Sequence, residues 1–185
     1  MAAPRGAGRT RLPRFDRLVP RGPGRGGCSS EKGGSLTGPS PVDRGKPGSK
    51  IHVLSDRRGL PLSVAVSAAN TNDAAALKPL VMAIPAITSR RGPRRRKPDK
   101  LHADKAYDQR ALRTWVRDRG IAVRIARKGV ETSDKLGKHR RVIERTIAWT
   151  FNYRRLTVRY ERRANNFAAF LTLAATLVAF KKLPT

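Results

Sequence analysis

Residues 50–67 read K-I-H-V-L-S-D-R-R-G-L-P-L-S-V-A-V-S. Apolar and polar residues alternate through 50–55 and again through 61–67, which is the pattern of strands that each bury one face. The segment D-R-R-G (56–59) between them has the composition of a tight turn. The sequence therefore predicts a β-hairpin, with Ile51 and Val53 on the buried face of its first strand.

The sequence after the hairpin alternates between helical and extended patterns. A predicted helix from Asn72 or Asp73 to about Ile84 has apolar residues at helical spacing. The later predicted elements are a strand at Lys100–Asp104, a helix at Gln109–Arg119 capped by Asp108, a strand at Ile121–Ala126, a helix from about Lys138 to Leu156, and a helix from about Asn165 to Lys182. Two strands followed by mixed helices and strands predict a mixed α/β domain.

The sequence before the hairpin has a different composition. Residues 1–48 are rich in Gly, Pro and Arg, and their apolar residues are too sparse to offset the entropy of ordering the backbone. We predict that 1–48 is a disordered basic segment and that the folded domain covers 49–183. Within the first segment only Leu12–Val19 has some apolar character, and the flanking prolines limit it to about a turn.

The charge of the chain points to a polyanionic partner. The 185 residues include 41 Lys and Arg but only 13 Asp and Glu, for a formal charge of +28. Such a charge opposes folding unless a polyanion is near, which favours nucleic acid over a small neutral substrate. A ribosomal or chromatin-like basic protein has the same composition. The single cysteine, Cys28, excludes an internal disulfide, and the three histidines are too scattered for a zinc cluster.

No segment of the sequence predicts a membrane protein. The longest apolar run, from about Phe167 to Phe180, is shorter than the ~20 residues that span a bilayer. No apolar stretch near Met1 resembles a signal peptide, so the predicted location is the cytoplasm.

Two carboxylates stand out in this basic sequence. Asp104 ends a predicted strand and Glu144 lies on a predicted helix, which suggests metal ions that act on nucleic acid. Asp108 is the alternative to Asp104, although it also suits an N-cap. Glu144 has an alternative role as the ion-pair partner of Arg140 one turn earlier, but that orientation stabilises a helix by only about a few tenths of a kcal/mol.

Several motifs resemble those of a known family. They are G-P-S-P-V-D-R-G-K-P-G-S-K-I-H (38–52), S-D-R-R-G-L-P-L (55–62), A-A-N-T-N-D (68–73), A-D-K-A-Y-D (103–108), R-R-V-I-E-R-T-I-A-W (140–149) and Y-R-R-L-T-V-R-Y-E-R-R (153–163). In this order they resemble the bacterial insertion-sequence transposases of the DDE group, specifically the insertion-sequence-five family. The resemblance extends from about Lys32 to Leu183.

The resemblance implies a ribonuclease-H-like fold in which three carboxylates hold two magnesium ions. Two metal ions about 4 Å apart can activate the attacking oxygen of a phosphodiester displacement and stabilise the leaving one. By resemblance Asp104 is the second acid of the triad and Glu144 the third. Arg140 matches the arginine of the family's tyrosine-arginine-glutamate-lysine signature and is expected to steer a phosphate oxygen. Gly137 and Phe151 stand where that signature has its tyrosine and lysine.

The first acid of the triad has no counterpart in the expected register. That register falls near Gly24–Gly27, which contains no acid, and Asp16, Asp43 and Asp56 match it poorly. The central first strand is therefore expected to be missing, which would leave unpaired strand edges. We expect a truncation or frameshift upstream of Lys32, with residues 1–31 translated out of frame.

The predicted partners follow from the resemblance and the charge. They are DNA, as transposon terminal inverted repeats and target DNA, and a second copy in a homodimer, in a nucleoid-associated protein of the bacterial cytoplasm. The predicted phosphate contacts are Arg94, Arg95, Arg96, Lys97, Arg154 and Arg155. Trp115 and Trp149 are predicted to pack in the core rather than to stack on bases. The function is that of a transposase, in a partial or inactive copy, with a non-catalytic DNA-binding remnant or a ribosomal-type protein as alternatives.

Overall fold

The structure is a computed structural model that describes residues 17–18, 27–87, 96–127, 129 and 133–182. Side chains are described for all of these except 17–18 and 133–140. The described strands are β1 (Arg17–Leu18), β2 (Gly27–Ser30), β3 (Gly38–Pro39), β4 (Pro47–Ser55), β5 (Pro61–Ala68), β6 (Lys100–Ala103), β7 (Ala122–Ile125) and β8 (Val158–Arg159). The α-helices are α1 (Leu77–Met82), α2 (Arg110–Asp118), α3 (Ser133–Phe151) and α4 (Ala164–Lys182), and 3-10 turns occupy Asp73–Ala76, Lys105–Tyr107 and Arg154–Leu156.

The predicted hairpin is confirmed and lies at the centre of one mixed sheet. β4 and β5 pair antiparallel, from Ser49 opposite Ala68 to Ser55 opposite Pro61. The strand order is β7-β6-β1-β4-β2-β8, with β5 and β3 also paired to β4. β6 and β7 are parallel to each other, whereas β4 runs antiparallel to its neighbours. The mixed α/β class predicted from the sequence is therefore confirmed.

Helices cover both faces of this sheet. Along β4, Leu54 joins a core cluster that includes residues of α1 and α2, whereas Ile51 and Val53 join a second cluster that includes Phe167 and Leu171 of α4. Successive strand residues point to opposite faces, so one strand supplies both cores. This is why eight of the nine residues of β4 are buried.

The central strand that the sequence predicted to be missing is present as β1. Arg17 pairs with Ser55 of β4 on one side and with His102 of β6 on the other, so β1 fills the gap between the hairpin and the strand before Asp104. The expectation of two unpaired edges at this point was wrong. The strand is too short, at two residues, for an alternating pattern to reveal it.

The segment before the hairpin also differs from its prediction. Disorder was predicted through residue 48, whereas Gly27–Ser30 pairs with the first half of β4 as β2 and also with β8. Cys28 on this strand is only 3% exposed and belongs to the second core cluster. A segment with few apolar residues is thus ordered by backbone pairing with a long strand rather than by its own side chains.

The predicted helices are present with shifted bounds. α3 begins at Ser133 and ends at Phe151, about five residues earlier than predicted, and a separate 3-10 turn follows at Arg154–Leu156. Asn72 caps the first helical segment as expected, because its side chain accepts from the Ala74 amide. Asp108 does not cap α2. Gln109 occupies that position, and Asp108 lies 2.7 Å from Nε of Arg113 instead.

Helix α4 is long and apolar enough to span a membrane by length and composition alone. In the structure it lies against β5, and its residues Phe167 and Leu171 are fully buried in the second core cluster. One face of α4 therefore packs on the sheet, whereas Leu173 and Phe180 are exposed.

A buried arginine joins three distant parts of the chain. Arg159 is fully buried, and its guanidinium donates to the carbonyls of Ser35 and Leu36 at 2.7 and 3.2 Å and to Oγ of Ser49 at 2.6 Å. It also donates to the carbonyls of Glu161 and Arg162. A buried charge needs such complete hydrogen bonding, and the fork of five N–H donors suits it.

We predict that Arg159→Lys lowers the free energy of unfolding by about 2–4 kcal/mol. Lysine has three donors, so buried acceptors that arginine satisfies would lose their partners. Urea denaturation of the two proteins measures the difference. Arg155→Lys is the matched control, because Arg155 is exposed. An equal effect of the two substitutions would contradict this role of Arg159.

Candidate active site

Asp104 lies directly after β6, where the chain leaves the sheet. It caps the 3-10 turn Lys105–Tyr107, and its Oδ1 accepts from the Lys105 amide at 2.6 Å. Its side chain is exposed, whereas Tyr107 is fully buried in the first core cluster. Burial raises the pKa of Tyr107, and the carboxylates of Asp73 and Asp104 add to that effect. The neutral Tyr107 ring thus anchors the turn while Asp104 faces outward at the strand end.

Glu144 lies on α3 at the border between the core and the surface. It is half-buried, while its neighbours Ile143 and Ile147 are 1% and 5% exposed. Ala148, four residues after Glu144 on α3, is exposed. A carboxylate in this position is held by a rigid helix and keeps access to solvent.

The turn of the hairpin fixes the position of α3. Oγ1 of Thr146 donates to the carbonyl of Gly59 at 2.7 Å, and Arg145 donates to the carbonyl of Arg58 at 2.8 Å. Gly59 has φ of +90°, and a Cβ added there would lie 2.8 Å from Oγ1 of Thr146. Only glycine therefore permits both this turn and the close approach of α3.

Asp56 has a structural task within that turn. Its Oδ1 accepts from the amides of Arg58 and Leu60 at 2.8 Å each. Burial raises the pKa of Asp56, and the amide hydrogen bonds act in the opposite direction. Because two amides already bind Oδ1, Asp56 is a poor candidate for a metal ligand.

The described residues do not form a complete metal site. Asp104 and Glu144 offer the oxygen atoms that a hard divalent cation prefers. No group of three His, Cys, Asp or Glu able to hold a metal occurs within the described ranges, however. His52 is fully buried, bonds Oγ of Ser67, and has its pKa lowered to about 4 by burial; burial raises the pKa of the Cys28 thiol to about 11. Neither His52 nor Cys28 therefore suits a metal ion.

Comparison with known proteins decides the family. The "Transposase DDE domain" family matches residues 28–179, which are most of the 185 residues. The chain is also 45% identical over 147 residues to a Burkholderia cepacia protein named as a transposase for insertion sequence element IS402, and the match covers 80% of this chain and 70% of that protein.

This chain belongs to the transposase DDE domain family. The transposase identity predicted from the sequence is thus confirmed, and the family implies a divalent metal and DNA as the partner. The match begins at residue 28, so the family domain includes β2 as well as the hairpin.

The predicted phosphate-contacting residues of this transposase domain fall into different surroundings. Arg96 and Lys97 are exposed, and Nζ of Lys97 donates to the carbonyl of Arg119. Arg154 is exposed. Nη1 of Arg155 lies 3.8 Å from Oε1 of Glu161, and its Cζ lies 5.3 Å from the ring centroid of Phe170. Arg94, Arg95 and the side chain of Arg140 lie outside the described part of the structure.

The two tryptophans of the transposase domain are not simple core residues. Trp115 packs against the first core cluster as predicted, but it is only half-buried and has Arg119 at 4.0 Å from its ring centroid. Trp149 is likewise half-buried, with cations over its ring. Thr146, Gly59 and Tyr107 were not predicted as positioning residues, and the glycine in D-R-R-G was the one local signal of a special turn.

We predict that Thr146→Val lowers the free energy of unfolding by about 1–2 kcal/mol, because the buried Gly59 carbonyl loses its donor. Thr150→Val is the control. Thr150 is equally buried, but its hydroxyl bonds only the Thr146 carbonyl one turn back in α3. Thermal unfolding of both variants measures the difference. A control as destabilised as Thr146→Val would show that the contact with the turn does not fix α3.

Proposed function

We propose that this chain is a DNA-processing domain of an insertion-sequence transposase in which Asp104 and Glu144 bind divalent metal, with Mg²⁺ as the ion. Three observations support the proposal. Asp104 is exposed at a strand end, Glu144 is half-buried on a helix fixed against the hairpin, and both supply hard oxygen ligands. The family supplies the reaction class, a metal-dependent cleavage and transfer of DNA strands.

We further propose that the fold is ribonuclease-H-like. The observation that supports this is the order β7-β6-β1-β4-β5 along one sheet, in which β1 is antiparallel to β4 and parallel to β6. In this arrangement the hairpin and the strand before Asp104 lie on either side of a central strand. The carboxyl end of β1 then faces the same way as that of β6, where Asp104 follows.

The donor groups support a partial active site. Within the described ranges, no group of three His, Cys, Asp or Glu side chains could hold a metal ion. We propose that the chain keeps two of three metal ligands and is a partial or inactive copy. In such a copy DNA binding is retained and DNA cleavage is lost.

The proposed substrates are the terminal inverted repeats of an insertion sequence and the target DNA. The formal charge of +28 and the exposed cations Arg96, Lys97 and Arg154 support a phosphate-binding surface. A homodimer is the proposed assembly, since two ends must be held together for transfer. The nucleoid of the bacterial cytoplasm is the proposed location, since the DNA is there.

A nicking assay on duplexes that carry the element's terminal inverted repeats tests this function. With Mg²⁺ or Mn²⁺ present, we expect wild type and Glu144→Gln to nick equally little, while both shift the duplex in a gel. The loss of one metal ligand is the reason. Metal-dependent nicking by wild type that disappears in Glu144→Gln would show that the chain has a third ligand and is active. A failure of both proteins to bind the duplex would contradict the DNA partner.

A further inference from the structure

Two cations lie over the indole ring of Trp149 on α3. The guanidinium of Arg145 is 5.1 Å from the ring centroid, and Nζ of Lys182 at the end of α4 is 4.9 Å from it. Both distances are within the range of cation–π attraction. The ring is half-buried, so it is fixed by its surroundings while the two charged groups remain at the surface.

Further exposed cations lie on the same elements and in the hairpin turn that contacts α3. Arg141 is exposed one turn before Arg145 on α3, and Arg58 is exposed in the hairpin turn, where its carbonyl accepts from Arg145. Nζ of Lys181 lies 6.0 Å from the ring centroid of Tyr153. We call this surface the Trp149 face and define it by the residues Arg58, Arg141, Arg145, Trp149, Lys181 and Lys182.

The fold itself gains little from this concentration of charge. The negative end of the α4 dipole favours Lys181 and Lys182, but it does not account for Arg141 and Arg145 within α3. Five cations at one surface repel each other, and cation–π attraction at an exposed site offsets only part of that cost. An anionic partner bound at this surface would replace the net repulsion among the cations with a net attraction.

The contacts also hold the charged groups in fixed positions. Elsewhere Nζ of Lys50 lies 2.9 Å from Oδ1 of Asp73, and Nε of Arg113 lies 2.7 Å from Oδ1 of Asp108. Arg145 instead contacts a carbonyl and a ring, and Lys182 a ring, neither of which neutralises its charge. These side chains are thus pre-ordered but remain cationic, which lowers the entropic cost of binding an anion.

We propose that the Trp149 face binds the sugar-phosphate backbone of duplex DNA, and that Trp149 positions Arg145 and Lys182 for phosphate contacts. This surface was not among the predicted phosphate contacts, and it includes neither metal-ligand candidate. The inference rests on the proposed function, since the family's DNA partner supplies the polyanion. Contacts of this kind are independent of sequence and hold the duplex in register.

The salt dependence of DNA binding tests this surface. Fluorescence anisotropy with a labelled 25-base-pair duplex, from about 50 to 200 mM salt, compares wild type with the triple variant Arg145→Gln/Lys181→Gln/Lys182→Gln. Each lost phosphate contact lowers the log–log slope by about 0.9, so the triple variant should lose about 2.7. Over this salt range the affinity of wild type should then fall about 40-fold more than that of the triple variant.

A second triple variant provides the matched control. Arg110→Gln/Arg117→Gln/Arg127→Gln removes the same charge from exposed positions on and near α2. We expect this control variant to change the log–log slope by less than about 0.9, the value for one phosphate contact. Among single variants, Trp149→Phe should keep the wild-type slope and Trp149→Leu should lower it, with circular dichroism spectra showing that both remain folded.

The proposal is overturned if the two triple variants have the same slope, or if Trp149→Leu binds DNA as wild type does. It is also overturned if the first triple variant binds duplex DNA normally but has lost binding to ribosomal RNA or to an acidic peptide. A wild-type protein whose binding is independent of salt would instead contradict the proposed DNA-processing function. The two failures are therefore distinguishable.

Discussion

Strand β4 is paired along both edges and buried on both faces, and the other elements are organised around it. Both of its edges are paired, with β1 and β2 along one and β5 and β3 along the other, and both of its faces are buried. Short segments that could not form a sheet alone are ordered because β4 offers them backbone partners. Arg159 adds a second link, since it joins β8 and the 35–36 loop to Ser49 of β4.

The parts of the fold that the sequence predicted are those with local periodicity. The hairpin, the strand before Asp104, α2, β7 and α4 repeat apolar residues at the spacing of a strand or a helix, and each is present. β1, β2 and β8 have two to four residues each, and long-range pairing with other strands determines them. A pattern in the neighbouring sequence cannot encode such partners.

The candidate site likewise has residues that sequence motifs indicate and contacts that they do not. Asp104 and Glu144 are proposed as ligands because their motifs occur in the order of the family, and they lie at a strand end and on a helix. The contacts of Tyr107, Gly59 and Thr146 near them were not predicted, because these contacts join segments that are far apart in the sequence. Trp149 was assigned to the core from its helical spacing, whereas two cations occupy its surface. Helical spacing alone does not show which half-buried aromatic residues carry charge on their outer face.

We propose that Asp104 and Glu144 bind one divalent cation together. Titration of the protein with Mn²⁺, followed by electron paramagnetic resonance, tests this proposal without DNA or turnover. We expect weak binding by wild type, at least about tenfold weaker binding by both Asp104→Asn and Glu144→Gln, and no change in Asp118→Asn, an exposed acid on α2. Equal binding by all four proteins would contradict it.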